Sequence, residues 1–170
     1  MVTTTEGADS HFHNPRAQVS AHYGVSQDGR IVQWVNDGDT AYHCGDWDTN
    51  LRSIGIEHEC GPEVPPTDAL YAASAGLHAA LAARYGIALE VGTTVLPHRS
   101  VSPTQCPGTL DLARLVQEED VTPEQVKEIV EAAIKDYGNR LNPELVKDRR
   151  RIDEAELRIM AASKALGGGR

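Results

Sequence analysis

The N-terminal part of this sequence predicts an α/β fold, and a helical segment follows it. Residues 19–25 alternate between apolar and polar side chains, residues 30–35 return as a second strand with Ile31 and Val35 on one face, and Gln27-Asp28-Gly29 between them is typical of a hairpin turn. Residues 53–59 alternate in the same way, which indicates a third strand. Residues 67–85 carry apolar side chains at helical spacing. Strands mixed with a helix long enough to cover them favour an α/β domain.

A mostly polar N-terminal segment precedes the predicted hairpin. Residues 1–5 form a short β-prone run that ends at Glu6-Gly7, and residues 8–16 contain Asn14-Pro15, which predicts a loop. Alternation then places four side chains on one face of the first hairpin strand: Val19, Ala21, Tyr23 and Val25. Residues 37–49 are rich in Asp and Gly and are predicted to be irregular.

The third strand and the long helix have clear boundaries. In the strand, Ile54, Ile56 and His58 share one face, so that Gly55, Glu57 and Glu59 occupy the other. The helix is predicted to open at Thr67-Asp68 and to stop at Gly86. Its apolar face consists of five side chains: Leu70, Ala73, Leu77, Leu81 and Ala82. A short apolar run, 91–96, then leads to His98.

A proline-rich stretch, 96–110, carries a histidine and a cysteine eight positions apart, His98 and Cys106. Neither helical nor strand periodicity brings the two together, so they meet only if the loop folds back. Pro107 suits the first position of a helix that continues to Val116, which predicts Cys106 at the N-cap, where the dipole favours a thiolate. A thiolate and an imidazole on a stiff loop are good zinc ligands. The alternative is a buried Cys and a surface His joined by an ordinary loop.

Three motifs together resemble a known enzyme family. They are His98 followed after seven residues by Cys-Pro-Gly, the segment Ala-Tyr-His-Cys-Gly at 41–45, and Asn-Leu-Arg-Ser-Ile-Gly-Ile-Glu at 50–57. The combination resembles the zinc-dependent N-acetylmuramoyl-L-alanine amidases of the type 2 amidase and peptidoglycan-recognition-protein superfamily, and phage endolysins in particular. The resemblance runs from about Thr3 to about Val116. It implies an amidase domain at 1–117, with a mixed central β-sheet flanked by helices.

The resemblance also implies a reaction and the residues that perform it. The family hydrolyses the amide bond between N-acetylmuramic acid and L-alanine in peptidoglycan, with Zn²⁺ polarising the carbonyl and activating a water. His98 and Cys106 match two of its metal ligands, and Glu57 matches its catalytic glutamate, a general base. The alternative for Glu57 is a solvated strand carboxylate. Thr104 stands where many relatives carry a lysine that stabilises the oxyanion.

Two further features follow from the resemblance. His43, Trp47 and Asn50 match the groove wall that contacts the glycan-peptide. The family's third metal ligand is a histidine on the first strand, and Thr3 stands at the aligned position. Four histidines are candidates to replace it, although each also fits an ordinary loop, strand or substrate-facing residue: His11, His13, His22 and His43.

Two functions of different class therefore remain. The first is a zinc amidase, a phage or prophage lysin domain, that degrades the bacterial cell wall. The second is a non-catalytic peptidoglycan-binding or regulatory relative without a complete metal site. Retention of Glu57, His98 and Cys106 favours the first, whereas the absent strand histidine favours the second.

Charge and cysteine content restrict the partners. The 170 residues carry a formal net charge of -9, which argues against nucleic acid and against an anionic membrane surface. Three cysteines without framework spacing argue against a disulfide-stapled secreted fold. We find no signal-peptide pattern and no apolar run of membrane length. These features predict synthesis in the cytoplasm. The resemblance then implies that a lysin of this kind reaches the wall only after release through a separate membrane-pore protein.

Residues 118–170 are predicted to form a helical appendage or linker. Thr122-Pro123 resembles a helix start, and a second helix is predicted to open near Asn142-Pro143. Along the second helix four apolar side chains recur at seven-residue spacing: Leu145, Ile152, Ile159 and Leu166. This pattern weakly indicates self-association as a coiled coil. A helical hairpin packed on the amidase domain, or a linker to another module, explains it equally well.

Overall fold

The computed structural model describes residues 4–12, 14, 16–117, 128 and 131. Its central sheet has three strands, β1 (Tyr23–Val25), β2 (Ile31–Gln33) and β3 (Ile56–His58), in the order β2-β1-β3. The β1 and β2 strands are antiparallel, whereas β1 and β3 are parallel with Gly24 opposite Glu57. The sheet is therefore mixed, as expected.

The predicted hairpin is confirmed, but its two strands are shorter than the segments 19–25 and 30–35 that were predicted to form them. Gly29 adopts a positive φ of 85°, and its backbone N–H donates to the Ser26 carbonyl at 3.0 Å. A positive φ costs a glycine little, so this position suits the tight turn. Val19 lies outside β1 and remains exposed. The alternating pattern thus locates the strand correctly but overestimates its length.

A helix, α1 (Thr5–Phe12), replaces most of the predicted N-terminal loop, so that prediction was wrong for residues 8–12. The Thr4 hydroxyl accepts a hydrogen bond from the Gly7 N–H at 3.0 Å, which satisfies a donor of the first turn. The indole of Trp34 donates to Asp9 at 3.0 Å and lies edge-on to the ring of Phe12. These contacts with Trp34 thus stabilise a helix whose own sequence indicates helix only weakly. His13 lies outside the described residues.

The long helix, α3 (Asp68–Tyr85), confirms both predicted ends. The Thr67 hydroxyl accepts from the Leu70 N–H at 3.1 Å as an N-cap, and Gly86 ends the helix in the left-handed conformation with φ 65°. The helix packs against β1, and the core combines side chains from the sheet, from α3 and from the C-terminal part of the domain. Its fully buried members include Val25, Leu70, Leu77 and Leu115.

Two short helices frame the remaining loops. One, α2 (Trp47–Asn50), is capped by the Asp46 carboxylate, which accepts from the Thr49 N–H at 2.8 Å. The other, α4 (Leu112–Leu115), is capped by Asp111. Between α3 and α4, the apolar run at 91–96 forms a turn, after which a single 3₁₀ turn begins at His98.

The predicted helix start at Cys106 was wrong. Residues 106–109 form turns, and α4 begins only at Leu112. Gly108 adopts a φ of 62°, which interrupts a right-handed helix, and the Asp111 carboxylate accepts from the Ala113 N–H at 2.9 Å instead. Cys106 therefore lacks the helix dipole that the N-cap position would supply.

In the described part of the chain, no helix is both long and apolar enough to cross a bilayer. The two C-terminal helices predicted within 118–170, and with them the proposed domain boundary, lie outside the described residues except for Glu128 and Glu131. Their arrangement stays a prediction.

Candidate functional site

A cavity of about 780 Å³ brings most of the predicted site residues to one place. Six of the seven line it: His43, Asn50, Glu57, His98, Thr104 and Cys106. They come from the loop before α2, from α2, from β3 and from the loop that starts at His98. We call this cavity the groove. Trp47, the seventh residue, lies outside the groove lining.

Glu57 is placed in the groove by the pleat of β3. Its neighbours Ile56 and His58 alternate to the opposite face, where Ile56 packs against the core and the His58 ring contacts Ser74 of α3. The Glu57 side chain keeps contact with solvent. Partial loss of hydration raises the pKa of its carboxyl, while the proximity of His98 has the smaller, opposite effect. A carboxylate that holds a proton more readily than usual is suited to general-base chemistry.

His98 is oriented by a contact with the loop before α2. Its Nε2 lies 3.0 Å from the carbonyl oxygen of Cys44. A carbonyl only accepts, so Nε2 carries the hydrogen and donates it. The neutral ring then has its lone pair on Nδ1. Such a backbone hydrogen bond is the usual way in which a ligating histidine is oriented and its tautomer fixed.

Cys106 lies on the exposed side of the groove. Its backbone N–H donates to the Thr104 hydroxyl at 3.2 Å, and its carbonyl accepts from the Arg99 N–H at 3.3 Å. Partial desolvation and the negative charge of Glu57 raise the pKa of the thiol, against an opposing effect of Arg99. The expectation of a dipole-stabilised thiolate was therefore wrong.

His43 forms a wall of the groove by packing on a glycine. A Cβ placed on Gly55 would lie 2.3 Å from Cγ of His43, so the ring occupies the space that only glycine leaves open. The imidazole Nε2 is 3.3 Å from the Ser53 hydroxyl. Burial, followed by the nearby His22 and His98, lowers the pKa of His43 to about 4. Its ring is therefore neutral at physiological pH.

His22, one of the four candidates for the third metal ligand, is instead a structural residue beside the groove. It is buried, its Nδ1 accepts from the Gly55 N–H at 2.9 Å, and its Nε2 donates to the Asp39 carbonyl at 3.1 Å. Since both ring nitrogens are occupied, His22 has no lone pair for a metal. It instead holds the start of the β3 segment in register.

Of the other candidates for the third metal ligand, His11 and His43 lie within the described residues. His11 is exposed on α1, and His43 makes the contacts described above. Within the described residues, no group of three or more His, Cys, Asp or Glu side chains is arranged to hold a metal ion. His98 and Cys106, the two predicted ligands, are one fewer than the three protein ligands that catalytic zinc sites usually have.

Asn50 and Trp47 differ in their accessibility. Asn50 is buried, and its Oδ1 accepts from the N–H groups of His43 and Cys44, both at 3.2 Å. It therefore shapes the groove wall through the backbone. Trp47 is 53% exposed and stacks on Tyr42. Their proposed contacts with substrate stay predictions.

Cys60 is a groove residue that sequence reasoning missed, since no motif contains it. It lies next to Gly61, whose carbonyl accepts from the Thr109 hydroxyl at 3.2 Å, and this contact joins its segment to the Cys106 loop. Burial, and after it the proximity of Cys106 and Glu57, raises the pKa of the Cys60 thiol to about 11. The neutral thiol adds no charge beside Glu57.

Comparisons with known proteins show the family to which the sequence belongs. Residues 1–109 match the family described as N-acetylmuramoyl-L-alanine amidase. N-acetylmuramoyl-L-alanine amidase A of Achromobacter lyticus is 43% identical over 60 residues, which are 35% of this chain and 33% of that protein. The chain spans about a third of the length of the curated relatives it matches.

Solved structures give the same fold. The crystal structure of a selenomethionine AmpD derivative shares 36% identity with a TM-score of 0.51, over 57% of each chain. The N-acetylmuramoyl-L-alanine amidase LysC from Clostridium intestinale URNW has a TM-score of 0.56 at 20% identity, covering 68% of this chain and 76% of that one. The α/β fold with a mixed sheet and flanking helices is thereby confirmed.

Proposed function

Because the chain belongs to the N-acetylmuramoyl-L-alanine amidase family, we propose that it hydrolyses the amide bond between N-acetylmuramic acid and L-alanine in peptidoglycan. The observation that carries this proposal is the convergence of Glu57, His98 and Cys106 on one groove from separate parts of the chain. Family membership supports the substrate class, and the proximity of Glu57 to His98 and to Cys106 supports a base beside two metal-binding groups.

Zn²⁺ is the proposed cofactor, with His98 Nδ1 and Cys106 Sγ as protein ligands. Imidazole nitrogen and thiolate sulfur both suit this ion, and the hydrogen bond from His98 Nε2 to the Cys44 carbonyl leaves Nδ1 able to coordinate. When bound, zinc supplies Lewis acidity toward the amide carbonyl and the attacking water. The two donors fit the ion, and Thr3 stands at the position aligned with the family's third ligand.

The residues of the groove have separate roles in the proposed hydrolysis. Glu57 takes a proton from the attacking water and returns it to the leaving amine, for which its raised pKa is favourable. The Thr104 oxygen accepts from the Cys106 N–H, so its own hydrogen is available to donate to the developing oxyanion. A neutral hydroxyl stabilises that charge less than a lysine would.

A more specific form of this proposal is that the chain acts as a phage or prophage lysin. The similarity of its motifs to endolysins supports it. The second candidate function is a peptidoglycan-binding relative without catalysis. What favours this candidate is that the described residues contain no group of three or more His, Cys, Asp or Glu side chains that could hold a metal ion.

Release of new amino groups from purified cell walls tests the proposal. We expect the zinc-supplemented full chain to release peptides with a free L-alanine N-terminus, and Glu57→Gln to lower that rate at least about 100-fold, as for loss of a general base. Glu63→Gln is the matched control, because Glu63 is an exposed carboxylate outside the groove lining. If the parent binds walls in a pelleting assay but releases no amines, the non-catalytic function replaces the amidase.

A further inference from the structure

Two cysteines of the groove, Cys60 and Cys106, lie on segments that contact each other. The Thr109 hydroxyl donates to the Gly61 carbonyl at 3.2 Å, and a Cβ placed on Gly108 would lie 3.7 Å from the Gly61 carbonyl carbon. Cys60 directly precedes Gly61, and Cys106 precedes Gly108 by two residues. The two thiols therefore emerge beside the same backbone contact.

The charge that each thiol can carry also shows that the pair is close. Burial is the main cause of the raised pKa of the Cys60 thiol, and a negative charge on Cys106 is the next. Since a Coulomb interaction weakens with distance, this effect agrees with the contact between the two segments.

The two thiols differ in accessibility. Cys60 is partly buried, whereas Cys106 is exposed in a loop of turns. The segment after Cys60 is held by a turn in which Gly61 and Val64 exchange backbone hydrogen bonds at 2.9 and 3.2 Å. An oxidant in solution therefore reaches Cys106 first, and Cys60 is placed to react with the product.

The third cysteine, Cys44, has a different environment. It is 4% exposed, and its thiol donates to Oδ1 of Asn50 at 3.1 Å. A buried thiol of this kind is shielded from oxidants. Cys44 therefore serves as an internal reference for the other two cysteines.

We propose that Cys60 and Cys106 form a reversible disulfide that withdraws Cys106 from the zinc site and so controls metal binding. This inference rests on the proposed function, because it takes Cys106 as a zinc ligand. A disulfide sulfur carries no negative charge and does not replace a thiolate as a ligand. The pair stays reduced and open to zinc where glutathione is reduced, and it closes in oxidising surroundings.

The oxidant in this proposal is a small disulfide such as oxidised glutathione. The Cys106 thiolate attacks one sulfur of that molecule, which breaks its S–S bond, forms a mixed disulfide on Cys106 and releases one glutathione. The Cys60 thiolate then attacks the Cys106 sulfur and expels the second glutathione. The two protein thiols lose two electrons, which reduce the glutathione disulfide, and their two protons end on the two glutathione thiols.

Mass spectrometry of the full chain, incubated with oxidised glutathione at about pH 8.5 to supply thiolate, tests the disulfide. We expect the parent to lose two hydrogen atoms and its digest to contain a peptide that joins Cys60 to Cys106. Cys60→Ser should instead retain one glutathione on Cys106, because no second thiol expels it. Cys44→Ser is the matched control and should form the same bond as the parent. Circular dichroism verifies that each protein is folded.

Elemental analysis measures the effect of the disulfide on the metal. After dialysis against a defined zinc concentration, we expect the oxidised parent to hold at least about fivefold less zinc per chain than the reduced parent, because binding needs the thiolate. Treatment of the oxidised parent with dithiothreitol should restore the zinc content of the reduced protein.

The outcomes separate this inference from the proposed function. A parent that forms no bond between Cys60 and Cys106, but whose reduced form releases amines from cell walls, overturns the disulfide and leaves the amidase intact. The disulfide with an unchanged zinc content also overturns the inference, because the bond then does not control the metal. The disulfide with loss of zinc supports the inference. If the reduced, zinc-loaded chain in that case releases no amines, the amidase alone is removed.

Discussion

The Nε2 atom of His98 lies 3.0 Å from the carbonyl oxygen of Cys44, and this hydrogen bond connects the two loops that border the groove. The same contact selects the tautomer of His98 that has its lone pair on Nδ1. Asn50 holds the Cys44 segment from the other side through the backbone N–H groups of His43 and Cys44. The orientation of a proposed metal ligand thus depends on a loop 54 positions away in sequence.

Loss of the groove thiol should lower zinc binding. We expect Cys106→Ser to bind clearly less zinc per chain than the parent, because a serine hydroxyl is a much poorer zinc ligand than a thiolate. Elemental analysis after dialysis against a defined zinc concentration measures the ratio. Cys60→Ser is the matched control, since it removes a groove thiol that we do not assign as a ligand. Equal zinc content in Cys106→Ser and the parent would remove Cys106 from the site.

Gly55 should be intolerant of any side chain. A Cβ at this position would lie 2.3 Å from Cγ of His43, so either the ring or β3 must move. We expect Gly55→Ala to lower the free energy of unfolding by about 1–3 kcal/mol, as overpacking commonly does. The urea midpoint measures this. Gly38→Ala is the control, because a Cβ there meets no atom within 4 Å. Similar midpoints for the two variants would show that the wall yields without cost.

The pH dependence of stability should reveal a histidine pair beneath β3. The His58 Nε2 lies 2.7 Å from the Ser74 hydroxyl, which lies 3.4 Å from Nδ1 of His78. Burial, and then the proximity of His78, lowers the pKa of His58 to about 3, and burial also lowers the pKa of His78. Both rings are therefore neutral in the folded protein at neutral pH.

The sign of the effect follows from these shifts. The unfolded chain takes up protons near pH 6.5 while the folded chain resists them, so stability is complete above about pH 6.5 and falls toward pH 3. Each such proton costs up to about 1.4 kcal/mol per pH unit. We expect the urea midpoint to decrease from pH 7.5 to pH 5, and His58→Gln to flatten that decrease. His11→Gln, at an exposed site, should not. The same slope in all three proteins would contradict this assignment.

The elements that sequence predicted well have local signals. The hairpin depends on a turn around Gly29, and α3 depends on Thr67 and Gly86 at its ends. Each of these signals acts within a few residues of its effect. By contrast, α1 is stabilised by Trp34, 25 positions from its partner Asp9, so its own sequence carried too little information.

The candidate site likewise combines features that local sequence predicts with features that depend on distant residues. A motif was enough to select Glu57, His98 and Cys106 as groove residues, because residue type and spacing are visible in the sequence. The environment of Cys106 was not predictable. The positive φ of Gly108 interrupts the helix, so that α4 begins only at Leu112 with Asp111 as its cap. The role of His22 also escaped prediction, because its bond to Gly55 spans 33 positions and depends on the pairing of β1 with β3.

The C-terminal segment should be dispensable for the groove. All the residues that we assign to catalysis, metal binding and substrate contact lie before residue 118, and Leu115 completes the described core. We therefore expect a chain that ends near Gln117 to fold and to keep whatever activity the parent has. The apolar side chains of the helices predicted within 118–170 must be buried against some surface, because isolated helices of this length are marginal in water. The heptad spacing of Leu145, Ile152, Ile159 and Leu166 favours burial against a second copy.

Light scattering of both chains at tens of micromolar distinguishes the alternatives. A dimeric parent and a monomeric truncated chain are the expected pair of results. A monomeric parent would refute self-association and leave a helical hairpin or a linker. An insoluble truncated chain would instead show that the C-terminal helices complete the core of the amidase domain. In that case the predicted boundary at residue 117 would be wrong, since a domain that folds alone must bury its own apolar surface.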